Sequence, residues 1–226
     1  MAENLPLIPL HWHSIDTVLF DMDGTLLDLH FDNYFWLEYL PQCYSKAHGI
    51  SYSESRKYLI DLSSRLKGTL NWYCLDYWSD KLSLDIAKLK EDIQHKILFR
   101  PNVIELLQHL RSHNKRIILA TNAHPKTLEL KLLRADFANY FDVLSSSHEI
   151  GFPKEEQQYW VKFCQNYQLD PKRCLFIDDS LSVLDSAKQF GIGFVLGICK
   201  PDSQKEAVNC SPYTGIQDFS QLIYSL

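Results

Sequence analysis

The sequence predicts an α/β protein, a Rossmann-like parallel sheet core interrupted by an inserted helical cap. Short apolar, β-rich runs alternate with helical patterns: "VLF" at 18–20, "RIILAT" at 116–121, "FDVLSS" at 141–146, "CLFIDD" at 174–179 and "GFVLGI" at 193–198. Strands that are apolar throughout belong to parallel sheets covered by helices on both faces. Residues 29–99 break this rhythm, with several helical patterns and no strand-like run. Acidic residues also gather where the apolar runs stop, Asp21 and Asp23 after the first and Asp178 and Asp179 at the end of the fourth.

Each helix has a local cause. After Pro101, Val103, Leu106, Leu107 and Leu110 form one stripe, and Pro125 opens the next helix at a position where its missing N–H costs nothing. A third is expected from about Lys154, with Trp160, Cys164 and Tyr167 inward, and a fourth runs from Ser180 to Phe190, stopped by Gly191. Within 29–99 the patterns predict helices around 33–40, after the capping box of Ser51 and Glu54, around 70–82, and from Asp85 with Ile86, Leu89, Ile93 and Ile97. The first strand needs neighbours from beyond residue 100 to be buried. The expected division is therefore a core of 1–28 and 100–226 with a cap of 29–99.

Composition narrows the function. The 226 residues are 46% hydrophobic and 23% charged, the range of ordinary globular proteins. The net charge of −5, with basic residues scattered, disfavours a nucleic-acid partner. The opening "MAENLPLIPLHWHS" lacks the basic and apolar regions of a leader, and no run approaches the roughly 18 apolar residues of a bilayer span. The expectation is a cytoplasmic protein without a membrane partner. Six cysteines without C-x-x-C spacing and an isolated pair, His11 and His13, give no sign of a zinc or redox motif.

On an extended chain Asp21 and Asp23 face one side while Met22 points away, and ligands of open α/β sheets bind beyond the carboxyl ends of the strands. An "Asp-Gly" turn is the bland reading of this stretch. Thr121 and Asn122 close the second run just before a helix start, where a hydroxyl and N–H groups can face an anion. Lys154 is placed at a helix N-terminus, against the helix dipole. Taken singly, Thr121 and Ser180 read as caps, Asp178 and Asp179 as helix-dipole partners and Lys154 as a surface charge. Four carboxylates at neighbouring strand ends repel unless a cation joins them, and hard oxygen ligands point to Mg²⁺ beside a substrate phosphate.

The ordered set "DMDGTLLD", "ILATN", "FPKEEQ" and "FIDDS" resembles the four motifs of the haloacid dehalogenase superfamily, with a helical cap inserted between the first two. By that resemblance Asp21 would be the nucleophile and Asp23 the general acid/base, with Thr121, Asn122 and Lys154 at the phosphate. Mg²⁺ would be held by Asp21, Asp178, Asp179 and the backbone carbonyl of Asp23, with Asp179 favoured over Asp178 as the direct ligand. The usual strand order of the superfamily would put the first strand mid-sheet. "DNYFWLEYLP", "LNWYCLDYWSDKLSLDI", "TNAHP" and "QFGI" are similar to its bacterial GMP/IMP 5′-nucleotidase branch, which implies a small phosphomonoester substrate, a purine nucleoside monophosphate.

In the cap, Trp72, Tyr73, Tyr77 and Trp78 spread over about 240° of a helix, wider than one packing stripe, so one or two can face a nucleobase. Phe35, Trp36, Trp72 and Trp78 are the candidates, against the reading that aromatics simply fill the cap's own core. Asp28 reads as a polar residue of the turn into the cap. The alternatives are a phosphatase for sugar phosphates or phosphoglycolate, a phosphomutase, and a phosphoacceptor or binding module of the same fold.

Overall fold

The computed structural model describes residues 8–223. The expectation about a leader falls partly on residues 1–7, which lie outside the described residues. Six strands form one parallel sheet: β1 (Thr17–Phe20), β2 (Arg116–Thr121), β3 (Val143–Ser146), β4 (Cys174–Asp178), β5 (Phe194–Ile198) and β6 (Thr214–Ile216), in the order β3-β2-β1-β4-β5-β6. β1 is interior, paired to β2 and β4. The sequence predicts five of these strands; β6 is three residues long and has no apolar run to announce it.

Helices cover both faces. Val18 and Phe20 point to one side with Ile117, Leu119, Leu175 and Ile177, and Leu19 points to the other with Ile118, Phe176, Tyr159, Trp160 and Phe163. The first side also receives α7 (Val103–Ser112) and α12 (Ser220–Ile223), the second α10 (Gln157–Tyr167) and α11 (Leu181–Phe190). α8 (Pro125–Ala135) and α9 (Ser147–Ile150) follow β2 and β3. Lys154 precedes α10 by three residues and lies outside the helix, so the expected clash with the helix dipole does not arise. Pro101 likewise precedes α7, whose N-cap is Asn102.

Between β1 and β2 the described chain is helical: α1 (His30–Tyr34), α2 (Leu40–His48), α3 (Tyr52–Ser64), α4 (Leu70–Tyr73), α5 (Leu75–Leu82) and α6 (Ile86–Asp92). A π-helical segment, Phe35–Tyr39, joins α1 to α2, and the Leu40 N–H bonds the Phe35 carbonyl. Pro41 just beyond has no N–H to offer the preceding turn, which accounts for the local unwinding. Ser51 and Glu54 make the expected capping box of α3. The helix expected over 70–82 is two, broken at Cys74 in extended conformation. That break resets the helical phase and decides which cap aromatics face the sheet.

Candidate active site

A cavity of about 680 Å³ opens where β1, β2 and β4 end beneath the cap. Small-molecule sites typically span roughly 300–1,000 Å³. Its floor is Asp21, Asp23, Thr121, Asn122, Lys154, Asp178 and Asp179, every motif residue expected from the sequence; its roof includes Asp32, Asn33, Trp36, Lys67, Trp72, Tyr73 and Lys90.

Carboxylate oxygens of Asp21, Asp178 and Asp179 all lie within 4.8 Å of one another. Lys154, 2% exposed, donates to Asp21 Oδ1 at 2.5 Å and Asp178 Oδ2 at 2.7 Å. Asp178 Oδ1 accepts the Ser180 N–H at 2.8 Å, so both its oxygens are engaged. Burial pushes the Asp21 carboxyl up to about 6, opposed by the Lys154 charge and helped by Asp178. Burial also works against the Lys154 ammonium, but Asp178 and Asp21 outweigh it and hold its pKa well above the usual lysine range. Asp179 accepts no hydrogen bond from the described residues. Burial, then the charges of Asp178 and Asp21, drive its pKa well above the carboxylate range. An unpartnered carboxylate at the meeting point of two others fits a hard divalent cation, which takes oxygen ligands.

Gly24 permits this approach. Its φ is +87°, and a Cβ there would stand 2.5 Å from Asp179 Oδ2, so any side chain would displace that carboxylate.

Asp23 has a separate environment. Its carboxylate, 24% exposed, accepts from Lys131 at 2.5 Å; Lys131 also donates to Asp32 at 2.6 Å, and Lys90 of the cap completes the chain at 2.7 Å from Asp32. Burial raises Asp23 to about 6, with Lys131 opposing and the charges of Asp32 and Asp21 adding to the rise. Asp32 goes the other way: burial raises it, but Lys131 and Lys90 overcome that and set it far below the usual range. The sequence reading missed Lys131, Asp32 and Lys90. Six carboxylates, those of Asp21, Asp23, Asp32, Glu155, Asp178 and Asp179, line the cavity with the ammonium groups of Lys67, Lys90 and Lys154, and Lys131 behind Asp23 and Asp32 brings the ammonium groups to four, a formal excess of two negative charges that a dication would cancel.

Asn122 holds Lys154 in place, its Oδ1 accepting the Lys154 N–H at 3.0 Å and its Nδ2 donating to Glu155 at 2.9 Å. Glu155 accepts from the cap at the same time, through the Tyr73 hydroxyl at 2.7 Å. The Asn122 side chain is thus engaged within the protein, not free for an anion. Thr121 Oγ1 accepts the Ala123 N–H at 3.0 Å at the cavity floor. Asp28 accepts from the His30 and Ser203 N–H groups and organises the turn into the cap.

Of the four candidate cap aromatics, Trp36 and Trp72 line the cavity. Phe35 and Trp78 do not: both are buried in the cap's own packing, and Trp78 Nε1 donates to the Trp72 carbonyl at 2.7 Å.

Comparison with known proteins gives the same picture. A family model described as haloacid dehalogenase-like hydrolase matches residues 15–191. The chain is 41% identical over 219 residues to the GMP/IMP nucleotidase YrfG of Escherichia coli (strain K12), covering 97% of this chain and 99% of that one. It is 24% identical over 194 residues to a phosphorylated carbohydrates phosphatase of Thermotoga maritima, covering 81% and 85%. Among solved structures, a HAD phosphatase from Thermococcus onnurineus superposes with a TM-score of 0.76 at 26% identity, over 92% of this chain and 96% of that one. CbbY from Rhodobacter sphaeroides in complex with phosphate shares the fold at 17% identity, with a TM-score of 0.64 over 92% and 96%. With matching motifs, sheet order and an inserted cap, the chain belongs to the haloacid dehalogenase-like hydrolases.

Proposed function

We propose that this protein is a Mg²⁺-dependent phosphomonoester hydrolase acting on purine nucleoside 5′-monophosphates, GMP and IMP, in the cytoplasm. The observation that carries the reading is the convergence of Asp21, Asp178 and Asp179 beside Lys154, with a second aspartate, Asp23, in its own charge environment two residues away. The similarity to the GMP/IMP nucleotidase over 97% of the chain supports the substrate class. Six free cysteines accord with a reducing compartment. The working division is a core of 1–28 and 100–226 with a cap of 29–99, and the substrate sits between them.

Asp21 is assigned as nucleophile. At 4 Å and an effective dielectric near 20, a carboxylate approaching a phosphate dianion meets repulsion of about 4 kcal/mol per charge pair, on the order of 8 in all. Lys154 counters part of this at the attacking oxygen, and its ammonium is held charged by the two carboxylates it touches. Mg²⁺, bound by Asp21, Asp179 and the Asp23 backbone, would supply the rest of the charge neutralisation. Asp179 is the favoured direct ligand, because both oxygens of Asp178 are already engaged. Asp21 takes the phosphoryl group as an aspartyl phosphate while Asp23 gives its proton to the leaving ribose oxygen. Asp23 later takes a proton from the water that hydrolyses the intermediate. Thr121 faces the phosphate, and Asn122 serves it indirectly by fixing Lys154.

An acid with a pKa near 6 is suited to that double role. Donation needs protonated Asp23, whose fraction falls tenfold per pH unit above its pKa, so kcat/KM is expected to decline along an alkaline limb beginning near 6. In Asp32→Asn the limb should move to lower pH, since a repelling carboxylate is lost and Lys131 is left more fully to Asp23. A pH profile whose limb stays in place or moves upward would contradict the assignment.

For the base, Trp72 offers a stacking face and Lys67 Nζ lies 5.8 Å from its ring centre. A cationic donor there suits the oxygen at purine position 6 of GMP and IMP better than the amino group of AMP. Stacking is worth roughly 1–3 kcal/mol, so Trp72→Ala is expected to raise KM for GMP roughly 5- to 150-fold and leave that for p-nitrophenyl phosphate unchanged. Equal changes for both would argue against stacking. The functional reading itself is tested by phosphate release across nucleoside monophosphates, sugar phosphates and phosphoglycolate with Mg²⁺. GMP and IMP should lead. A sugar phosphate or phosphoglycolate leading by tenfold would replace it.

A further inference from the structure

We propose that Cys74, His124 and His148 form a second metal site, distinct from the acidic cluster, which takes a thiophilic divalent cation of the zinc class and ties the cap to the core. Their ligand atoms lie within 4.8 Å of one another although the residues come from three elements. Cys74 stands at the break between α4 and α5 in the cap, His124 is the N-cap of α8, and His148 lies on α9. Nothing in their spacing along the chain announces the cluster. Zinc holds sulfur at about 2.3 Å and nitrogen at about 2.0–2.1 Å, so the donors need to draw together by only about an ångström.

Each ligand is in a state ready to bind. His148 Nε2 is buried with no hydrogen-bond partner, an uncommon condition for a histidine whose role is packing. Burial, with the neighbouring His124 adding, draws its pKa down to about 4, so the ring is neutral and keeps a lone pair at pH 7. The two imidazoles meet edge to face with centres 4.9 Å apart. His124 Nδ1 accepts the Lys126 N–H at 3.3 Å, which turns Nε2 toward Asp76, 3.8 Å from its Oδ2. Cys74 Sγ caps α5, accepting the Tyr77 N–H at 3.4 Å, which fixes the sulfur at the cap–core boundary.

Two imidazoles and a thiolate select borderline and soft cations over Mg²⁺, so the sites divide the metals by donor chemistry. On binding, the Cys74 thiol releases its proton to solvent as the metal–sulfur bond forms, with no change of oxidation state. Asp76, paired to Lys126 at 2.5 Å, or a water completes the coordination. The ion would join two cap–core contacts that already exist here, Asp76 with Lys126 and Tyr73 with Glu155.

The test is a titration of the full-length protein with Co²⁺ in excess Mg²⁺, which occupies the sulfur-free acidic cluster. One equivalent is expected to produce a thiolate-to-cobalt charge-transfer band that one equivalent of Zn²⁺ abolishes. Cys74→Ser should lose the band and Cys43→Ser should keep it. His148→Gln, which removes no existing Nε2 hydrogen bond, should weaken Co²⁺ binding roughly tenfold or more. Zn²⁺ should raise the melting temperature of the wild type and not of Cys74→Ser or His148→Gln, because only a ligand that prefers the folded state stabilises it. No sulfur band in the wild type, a band that survives Cys74→Ser, or His148→Gln binding as the wild type does would overturn the proposal.

Discussion

Replacing Asp21 with asparagine is expected to remove phosphate release by a factor on the order of 10⁴ or more while leaving the fold intact. The amide has nearly the volume of the carboxylate, so the packing at the end of β1 is preserved. Lys154 keeps Asp178 as a partner, and no ammonium is stranded. What disappears is the attacking oxygen's charge. Steady-state phosphate release, with circular dichroism to verify folding, checks this; turnover within tenfold of the wild type would remove Asp21 from the role of nucleophile.

The second large effect belongs to Lys131, which no motif identifies. It is 1% exposed and separates Asp23 from Asp32, donating to both. In Lys131→Met the two carboxylates face each other in a poorly solvated place, and breaking a buried pair by removing one partner costs about 3–5 kcal/mol. For a chain of this size that corresponds to a melting temperature lower by roughly 6–20 °C. Adding Asp32→Asn to the same chain removes one of the stranded charges and should recover part of the loss. A Lys131→Met protein that melts within 1 °C of the wild type at pH 7 would show that the chain of charges from Lys90 to Asp23 contributes nothing to stability. The alkaline limb of kcat/KM should move to higher pH, opposite to Asp32→Asn, since Asp23 would lose the ammonium that holds its pKa down and retain the carboxylate that holds it up.

What the sequence made legible follows from what is local. Apolar runs end where the parallel strands end, and in a sheet of this kind that edge is the ligand crevice, so Asp21, Asp23, Thr121, Asp178 and Asp179 could be placed together before any coordinates, while Lys154, which ends no strand, is placed there only by the resemblance of its motif. The chain of Lys90, Asp32 and Lys131 is long-range, its members up to 99 residues apart, and pairings of that kind are invisible to periodicity. A signal was present nonetheless: Lys131 follows Leu128 by one helical turn, and Lys90 follows Ile86, so each lysine sits on a buried stripe where an ammonium must have a partner. Cap aromatics were ambiguous for another reason. A helical wheel over 70–82 assumes a continuous helix, and the extended Cys74 breaks its phase, sending Trp72 to the cavity and Trp78 to the cap interior. Cys74, His124 and His148 lie far apart in the sequence and carry no metal-motif spacing, and only the folding of cap onto core brings them together.

The central claim is that the negative excess at the strand ends is the seat of a divalent ion without which carboxylate and phosphate cannot meet. Phosphate release from GMP by metal-stripped protein in excess chelator, before and after Mg²⁺ is restored, measures it most directly. Activity should vanish in chelator and return with Mg²⁺ in the wild type, and Asp179→Asn should need far more Mg²⁺ to recover. Undiminished turnover in chelator would contradict the account.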